Sequence, residues 1–163
     1  MDIIKQGSLA TSSGNTLEKT VTATLLSKGF TLIGYRDYVK NKKNCGHELL
    51  IKNVPYKTIY NHPGKTEFLL ISKKYSLEVR IECKWQQSSG SVDEKFPYLY
   101  LNCIEAMPEG DIIIIIDGGG AKSGAVKWLK KAVEEKRYTS DKSKNIKVFT
   151  LVEFVKWANS TFR

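Results

Sequence analysis

Glu82 and Lys84 lie in a stretch, Glu78 to Gln86, where side-chain character alternates. Val79, Ile81, Cys83 and Trp85 fall on one side of the pattern; Arg80, Glu82, Lys84 and Gln86 fall on the other. A period of two is the mark of a β-strand, and strand residues two apart share a face, so this segment sets a carboxylate beside an ammonium. A second carboxylate, Glu67, sits inside the short apolar run Thr66 to Ser72. A lone carboxylate in a buried strand is costly unless it is paired or bound to metal. If the two strands pair through the turn near Lys73 to Ser76, Glu67 and Glu82 converge on a hard, oxygen-seeking cation, with Mg²⁺ the natural occupant. Such an ion polarises a phosphate and lowers the pKa of a bound water, while Lys84 orients that water or stabilises charge developing on the phosphorane. The plainer alternative is that Glu82 and Lys84 are solvent-side partners on a half-exposed strand.

The remaining reactive residues exclude most rival chemistries. Only His47 and His62 supply imidazoles, which removes many-histidine metal sites and makes a Ser-His-Asp hydrolase hard to assemble. Cys45, Cys83 and Cys103 form no CxxC pair, so they read as thiols in a reducing, cytoplasmic setting. Hydrolytic chemistry therefore rests on carboxylates. With 26 Lys+Arg against 17 Asp+Glu, the net charge of +9 favours a polyanionic partner such as nucleic acid, against the alternative of a solvated basic surface. Lys40, Lys42, Lys43, Lys73 and Lys74 are candidates to line a backbone groove, with Tyr35, Tyr38, Tyr56, Tyr60 and Trp85 interleaved as stacking or packing residues. Gly64-Lys65-Thr66 has the tail of a phosphate loop without the preceding glycine and is followed by a strand, so it reads as a hairpin approach. Gly118 to Gly124 joins a strand to a helix, as a plain turn or as a contact for DNA backbone.

The elements that must hold these groups fit one domain over residues 1–163, since 163 residues with 41% hydrophobic content suffice for a single core. No apolar run approaches the roughly 20 residues of a membrane span. Leu17, Val21 and Leu25, widened by Leu26, mark a helix from Asn15 to Lys28 stopped by Gly29, with Glu18 beside the apolar stripe. Phe30 to Tyr38 is aromatic and β-prone, and His47 to Val54 reads as a strand. Asp93 to Ala106 is expected to be helical with Pro97 in its first turn. Ile112 to Ile116 lacks alternation and predicts a strand covered on both faces. Ser123 to Arg137 is a helix, Ile146 to Phe149 a short strand, and Thr150-Leu151-Val152-Glu153 a capping box opening the last helix. Together these predict an α/β domain with a mixed central sheet flanked by helices.

A helix glutamate (Glu18), then a strand-borne acid (Glu67), then Glu82-Cys83-Lys84 on the next strand resembles the PD-(D/E)xK nuclease superfamily, with its restriction-endonuclease-like fold. The likeness runs from Gly14 to Gln86; Glu67 stands where the family usually has Asp after Pro. It implies that Glu67 and Glu82 hold a metal, that the Cys83 backbone carbonyl adds a ligand, that Lys84 assists the attacking water, and that Gln86 extends the motif to Glu-x-Lys-x-Gln. Glu18 is implied as catalytic support and a further candidate ligand, although Asn15-x-x-Glu18 also fits a capping box. The expected activity is a Mg²⁺-dependent phosphodiesterase, with Mn²⁺ able to substitute, acting as a DNA endonuclease. Cutting both strands of a duplex would be simplest for a homodimer. Rival readings are an inactive nucleic-acid-binding module on the same fold and a protein-interaction domain.

Overall fold

The computed structural model describes residues 15–85, 93–119 and 123–163. Helix α1 occupies residues 15–26, and Gly29 ends its turn at φ 96°, a left-handed conformation that glycine adopts without penalty. β1 (Thr31–Gly34) is short because the chain turns at Gly34 into α2 (Tyr35–Lys40). The β-prone reading of Phe30 to Tyr38 therefore holds only for its first half. Tyr35 and Tyr38, three apart, both pack on the Leu49, Ile51, Val54 and Leu69 cluster, a spacing a helix satisfies and a strand does not.

β2 (Glu48–Lys57), β3 (Pro63–Ser72) and β4 (Leu77–Trp85) form an antiparallel meander. α3 (Lys95–Leu101) runs directly into a π-helical turn, Asn102–Ala106. β5 (Asp111–Asp117), α4 (Ser123–Glu134), β6 (Asn145–Phe149) and α5 (Leu151–Thr161) complete the chain. Among the described residues six strands lie in sequence order in one sheet, parallel at β1/β2, β4/β5 and β5/β6. This is the mixed α/β architecture predicted, and among the described residues no helix is long and apolar enough to cross a membrane.

The apolar run of β5 is divided between two cores. Ile113 and Ile115 join Val79, Ile81 and Cys83 of β4 beneath α1 and α5. Ile112, Ile114 and Ile116 pack against α3, the π turn and α4. Both faces of the central strands are thus covered, which is why β5 carries no polar alternation. α5 opens with the expected capping box: the Glu153 N–H donates to Thr150 Oγ1 at 3.2 Å, and the Thr150 N–H donates to Glu153 Oε1 at 3.3 Å.

Candidate active site

Burial on both faces changes the standing of β4's polar side. Val79, Ile81 and Cys83 face α1 and α5, so Arg80, Glu82 and Lys84 project to the opposite face. There Arg80 is only 2% exposed and Glu82 only 5%. These are not solvent-side partners. Glu82 Oε1 accepts the Lys84 ammonium at 2.7 Å, with Lys84 still 32% exposed. Glu82 Oε2 is buried and has no hydrogen-bond partner among the described residues.

Glu67 reaches this place through a kink. Asn53 of β2 adopts φ 57°, left-handed and rare for a strand residue. Beyond it the alternation is broken: Val54 packs with Leu49 and Ile51 although its spacing from them is odd. The partner strand kinks at the same level, because Thr66 meets Arg80 on one face whereas Phe68, two residues on, lies in the core on the other. Glu67 sits between them. The β3/β4 ladder runs from Ser72↔Leu77 to Phe68↔Ile81. One step further, the Cys83 N–H donates to Glu67 Oε2 at 2.8 Å in place of a backbone carbonyl. The Glu67 carboxylate thus lies against β4 beyond the end of the ladder, near enough to Glu82 for its charge to act there.

Arg80 ties the kink down. Its Nη1 donates to the Val54 carbonyl at 3.2 Å and to Thr66 Oγ1 at 3.0 Å, and its Nη2 donates to Glu109 Oε1 at 2.9 Å, with a second bond from Nε to Glu109 Oε2. Its guanidinium also lies under the Tyr56 ring, 5.4 Å from the centroid. The charge is balanced by Glu109, which follows the π turn. Sequence reasoning placed Arg80 on the polar face of its strand but gave it no role, since its partner lies 29 residues on.

Electrostatics follows from this packing. Burial pushes the Glu82 carboxyl up from the ordinary 4.5 to about 7; the Lys84 ammonium opposes the rise and Glu67 adds to it. Burial opposes the charge on Lys84, but Glu82 beside it wins and holds the ammonium above its ordinary range. Glu18 on α1 is also raised, by burial and then by the Glu67 charge, against Lys52 and Lys65. Glu18, Glu67 and Glu82 thus share one electrostatic neighbourhood. Because the folded state holds the Glu82 proton more tightly than the unfolded chain does, this group favours folding below pH 4.5, and that contribution is lost as pH rises through about 7. Urea denaturation of metal-free protein is expected to show stability falling as pH rises across that window. The fall should be absent in Glu82→Gln; the same slope in that variant would assign it elsewhere.

The carboxylate donors and the unpartnered Glu82 Oε2 suit a hard divalent cation. Among the described residues no three His, Cys, Asp or Glu side chains form a ready-made cage, so further ligands would come from backbone and water, as Mg²⁺ tolerates. Gln86 lies outside the described residues, as do Ser88, Ser89 and Ser91.

The lysines whose charges reach Glu18 are Lys52 and Lys65, outside the clusters singled out in the sequence. Lys42 and Lys73 do line a common cleft with Tyr38 and Leu77, but it lies at the β3/β4 turn, five residues along each strand from Glu67 and Glu82, or roughly 17 Å at about 3.4 Å per residue. Arg36, Lys52 and Lys65 instead line a groove of about 690 Å³ with Tyr35, Asn53 and Gly64. Lys65 sits on β3, which is not the strand-to-helix setting of a phosphate loop. At the other glycine-rich turn, Gly118 and Gly119 take φ of 104° and 72°, and residues 120–122 lie outside the described part.

The profile of the PD-(D/E)XK nuclease superfamily domain matches residues 9–162, nearly the whole chain. The chain belongs to the PD-(D/E)XK nuclease superfamily. Searches among curated proteins and among solved structures returned no match. Membership carries a nuclease-type function and a restriction-endonuclease-like fold, in keeping with the six-stranded mixed sheet. The kink at Asn53 and Glu67 is the local feature that brings the Glu67 carboxylate against β4.

Proposed function

We propose that the protein is a divalent-metal-dependent phosphodiesterase acting on nucleic acid, as a DNA endonuclease, with Glu67, Glu82 and Lys84 at its centre. The observation that carries this reading is the buried Glu82 oxygen without a hydrogen-bond partner among the described residues, near Glu67 and next to an ammonium. An apolar or amide side chain would serve a purely structural strand better, since a buried carboxylate left half-satisfied is destabilising.

Glu67 and Glu82 would hold Mg²⁺ or Mn²⁺, and the Cys83 carbonyl would join them, because an extended residue directs its N–H and C=O to the same neighbour and this N–H already faces Glu67. When bound, the cation supplies Lewis-acid stabilisation of the phosphate and an acidified water. Lys84, part exposed, places a positive charge where negative charge builds on the phosphate and orients the attacking water. Glu18 adds negative charge behind Glu67 and offers an acceptor from α1. Gln86 continues the same side of the motif in sequence. Arg36, Lys52 and Lys65 provide a track for the phosphate backbone, in line with the net charge of +9.

The test is a cleavage screen over supercoiled, linear, single-stranded and branched DNA, and RNA, with and without Mg²⁺ or Mn²⁺. Cleavage that needs metal and falls at least about 10²-fold in both Glu67→Gln and Glu82→Gln is expected. Binding without metal-dependent cleavage would convert the reading to an inactive nucleic-acid-binding module, for which Glu67 in place of Asp is the sequence feature.

A further inference from the structure

At the tip of the β2–β3 hairpin an aromatic ring is held in the open. Tyr60 is 64% exposed and stacks on Tyr98 of α3, with ring centroids 5.0 Å apart and planes within 20°. His62 meets Tyr60 edge-on at 6.3 Å. A single exposed tyrosine is unremarkable on a protein surface; the backbone beneath this one is heavily fixed. The Asn61 N–H donates to the Thr58 carbonyl at 2.8 Å, and the Thr58 N–H donates to the His62 carbonyl at 2.9 Å. The His62 N–H donates to Thr58 Oγ1 at 3.2 Å. From below, Oδ1 of the buried Asn102 accepts the Ile59 N–H at 2.9 Å, pinning the tip to the start of the π turn. One face of Tyr60 is thus committed to Tyr98, and the ring stands out from a turn with little freedom left to lose.

The tip is joined to the candidate site through Tyr56 on the same hairpin. Tyr56 covers the Arg80 guanidinium, two residues before Glu82 on the same strand face, and its hydroxyl is within electrostatic reach of Glu82, Lys84 and Tyr98. Gly64 opposite Tyr56 permits this close approach, since a Cβ there would come within 3.1 Å of the Tyr56 ring and 2.9 Å of Thr58. An exposed, pre-stacked ring near an acidic centre on a basic protein suits a flat, sequence-neutral partner on a polyanionic chain. Stacking of one base on an aromatic side chain contributes about 1–3 kcal/mol and needs a free base face. A paired base inside a duplex has none to offer.

We propose that the Tyr60–Tyr98 pair is a stacking platform for an unpaired nucleobase a few nucleotides from the scissile phosphate, so that the preferred substrate carries single-stranded nucleotides near the cut. This deepens the nuclease reading and rests on it. The unpaired base packs on the outer face of Tyr60, away from Tyr98.

The experiment uses the full chain in metal-free buffer at low salt, so that no cleavage intervenes, and measures quenching of a 2-aminopurine base in an oligonucleotide. Quenching with the single strand is expected. Tyr60→Ala should weaken its binding about 10- to 100-fold, the equivalent of roughly 1.4–2.8 kcal/mol. Tyr60→Trp should retain it, and affinity for the fully paired duplex should be unchanged in both variants. Equal losses on single strand and duplex, or no loss at all, would overturn the platform while leaving the nuclease reading intact. Absence of any nucleic-acid binding by the unmodified chain would instead remove the nuclease reading, and the platform with it. Thermal melting of Tyr60→Ala checks the fold; should it melt early, Tyr60→Leu repeats the comparison with the same deciding outcomes.

Discussion

Lys84→Ala is expected to lower metal-dependent cleavage about 10²- to 10³-fold while nucleic-acid binding in metal-free buffer changes by less than about 3-fold. The size follows from removing one preorganised positive group aimed at developing charge. The separation of cleavage from binding follows from position: Lys84 is tied to Glu82 at 2.7 Å on the sheet face, whereas the backbone track is assigned to Arg36, Lys52 and Lys65, which line a separate groove. The variant leaves Glu82 buried without a cation, so its carboxyl should be driven further up and take a proton near neutral pH. That escape limits the stability loss, and a thermal melt with and without Mg²⁺ measures what remains. Plasmid cleavage by Lys84→Ala at the unmodified rate would remove the lysine from the reaction. Loss of binding in parallel with cleavage would make it a substrate contact instead.

The largest effect on stability should come from Arg80, not from any residue assigned to the chemistry. Arg80→Met is expected to cost about 3–5 kcal/mol in urea denaturation, because it strands the buried Glu109 carboxylate and frees the Val54 carbonyl and the Thr66 hydroxyl together. Replacing both members of the pair, Arg80→Met with Glu109→Leu, should recover part of that loss, as buried ion pairs replaced by apolar side chains often do. Cleavage should not recover in parallel. The guanidinium is what joins the β2 and β3 sides of the kink, and without it Glu67 loses the support that sets it against β4. Recovery of cleavage alongside stability would show that Arg80 balances charge and positions nothing. A loss under about 1 kcal/mol in the single variant would mean that water reaches the pair.

Several features of this protein were readable because their causes are local. The β4 alternation, the uninterrupted isoleucines of β5, the α1 stripe and the Thr150 capping box each express a backbone period or a hydrogen bond within a few residues, and each stands in the structure where the spacing put it. The acidic and basic residues of the candidate site were likewise singled out by type and order along the chain. α2 was not readable as a helix, since its aromatic residues favour strands and only their shared docking on Leu49 and Ile51 decides the matter. The last turn of the helix after α3 widens to a π turn at Asn102, whose side chain is claimed by a hairpin 43 residues earlier.

The kink at Asn53 and Glu67, the Arg80–Glu109 pair and the identity of the basic groove belong wholly to tertiary structure. Each joins residues remote in sequence, and each depends on which side chains lose their water when the strands are covered on both faces. Residue types and periods set out an α/β sheet with two strand-borne acids and a lysine. Only the folded chain, by burying Glu82 and turning Glu67 against β4 near it, decided that these groups meet in a place where charge is expensive to hold without a partner.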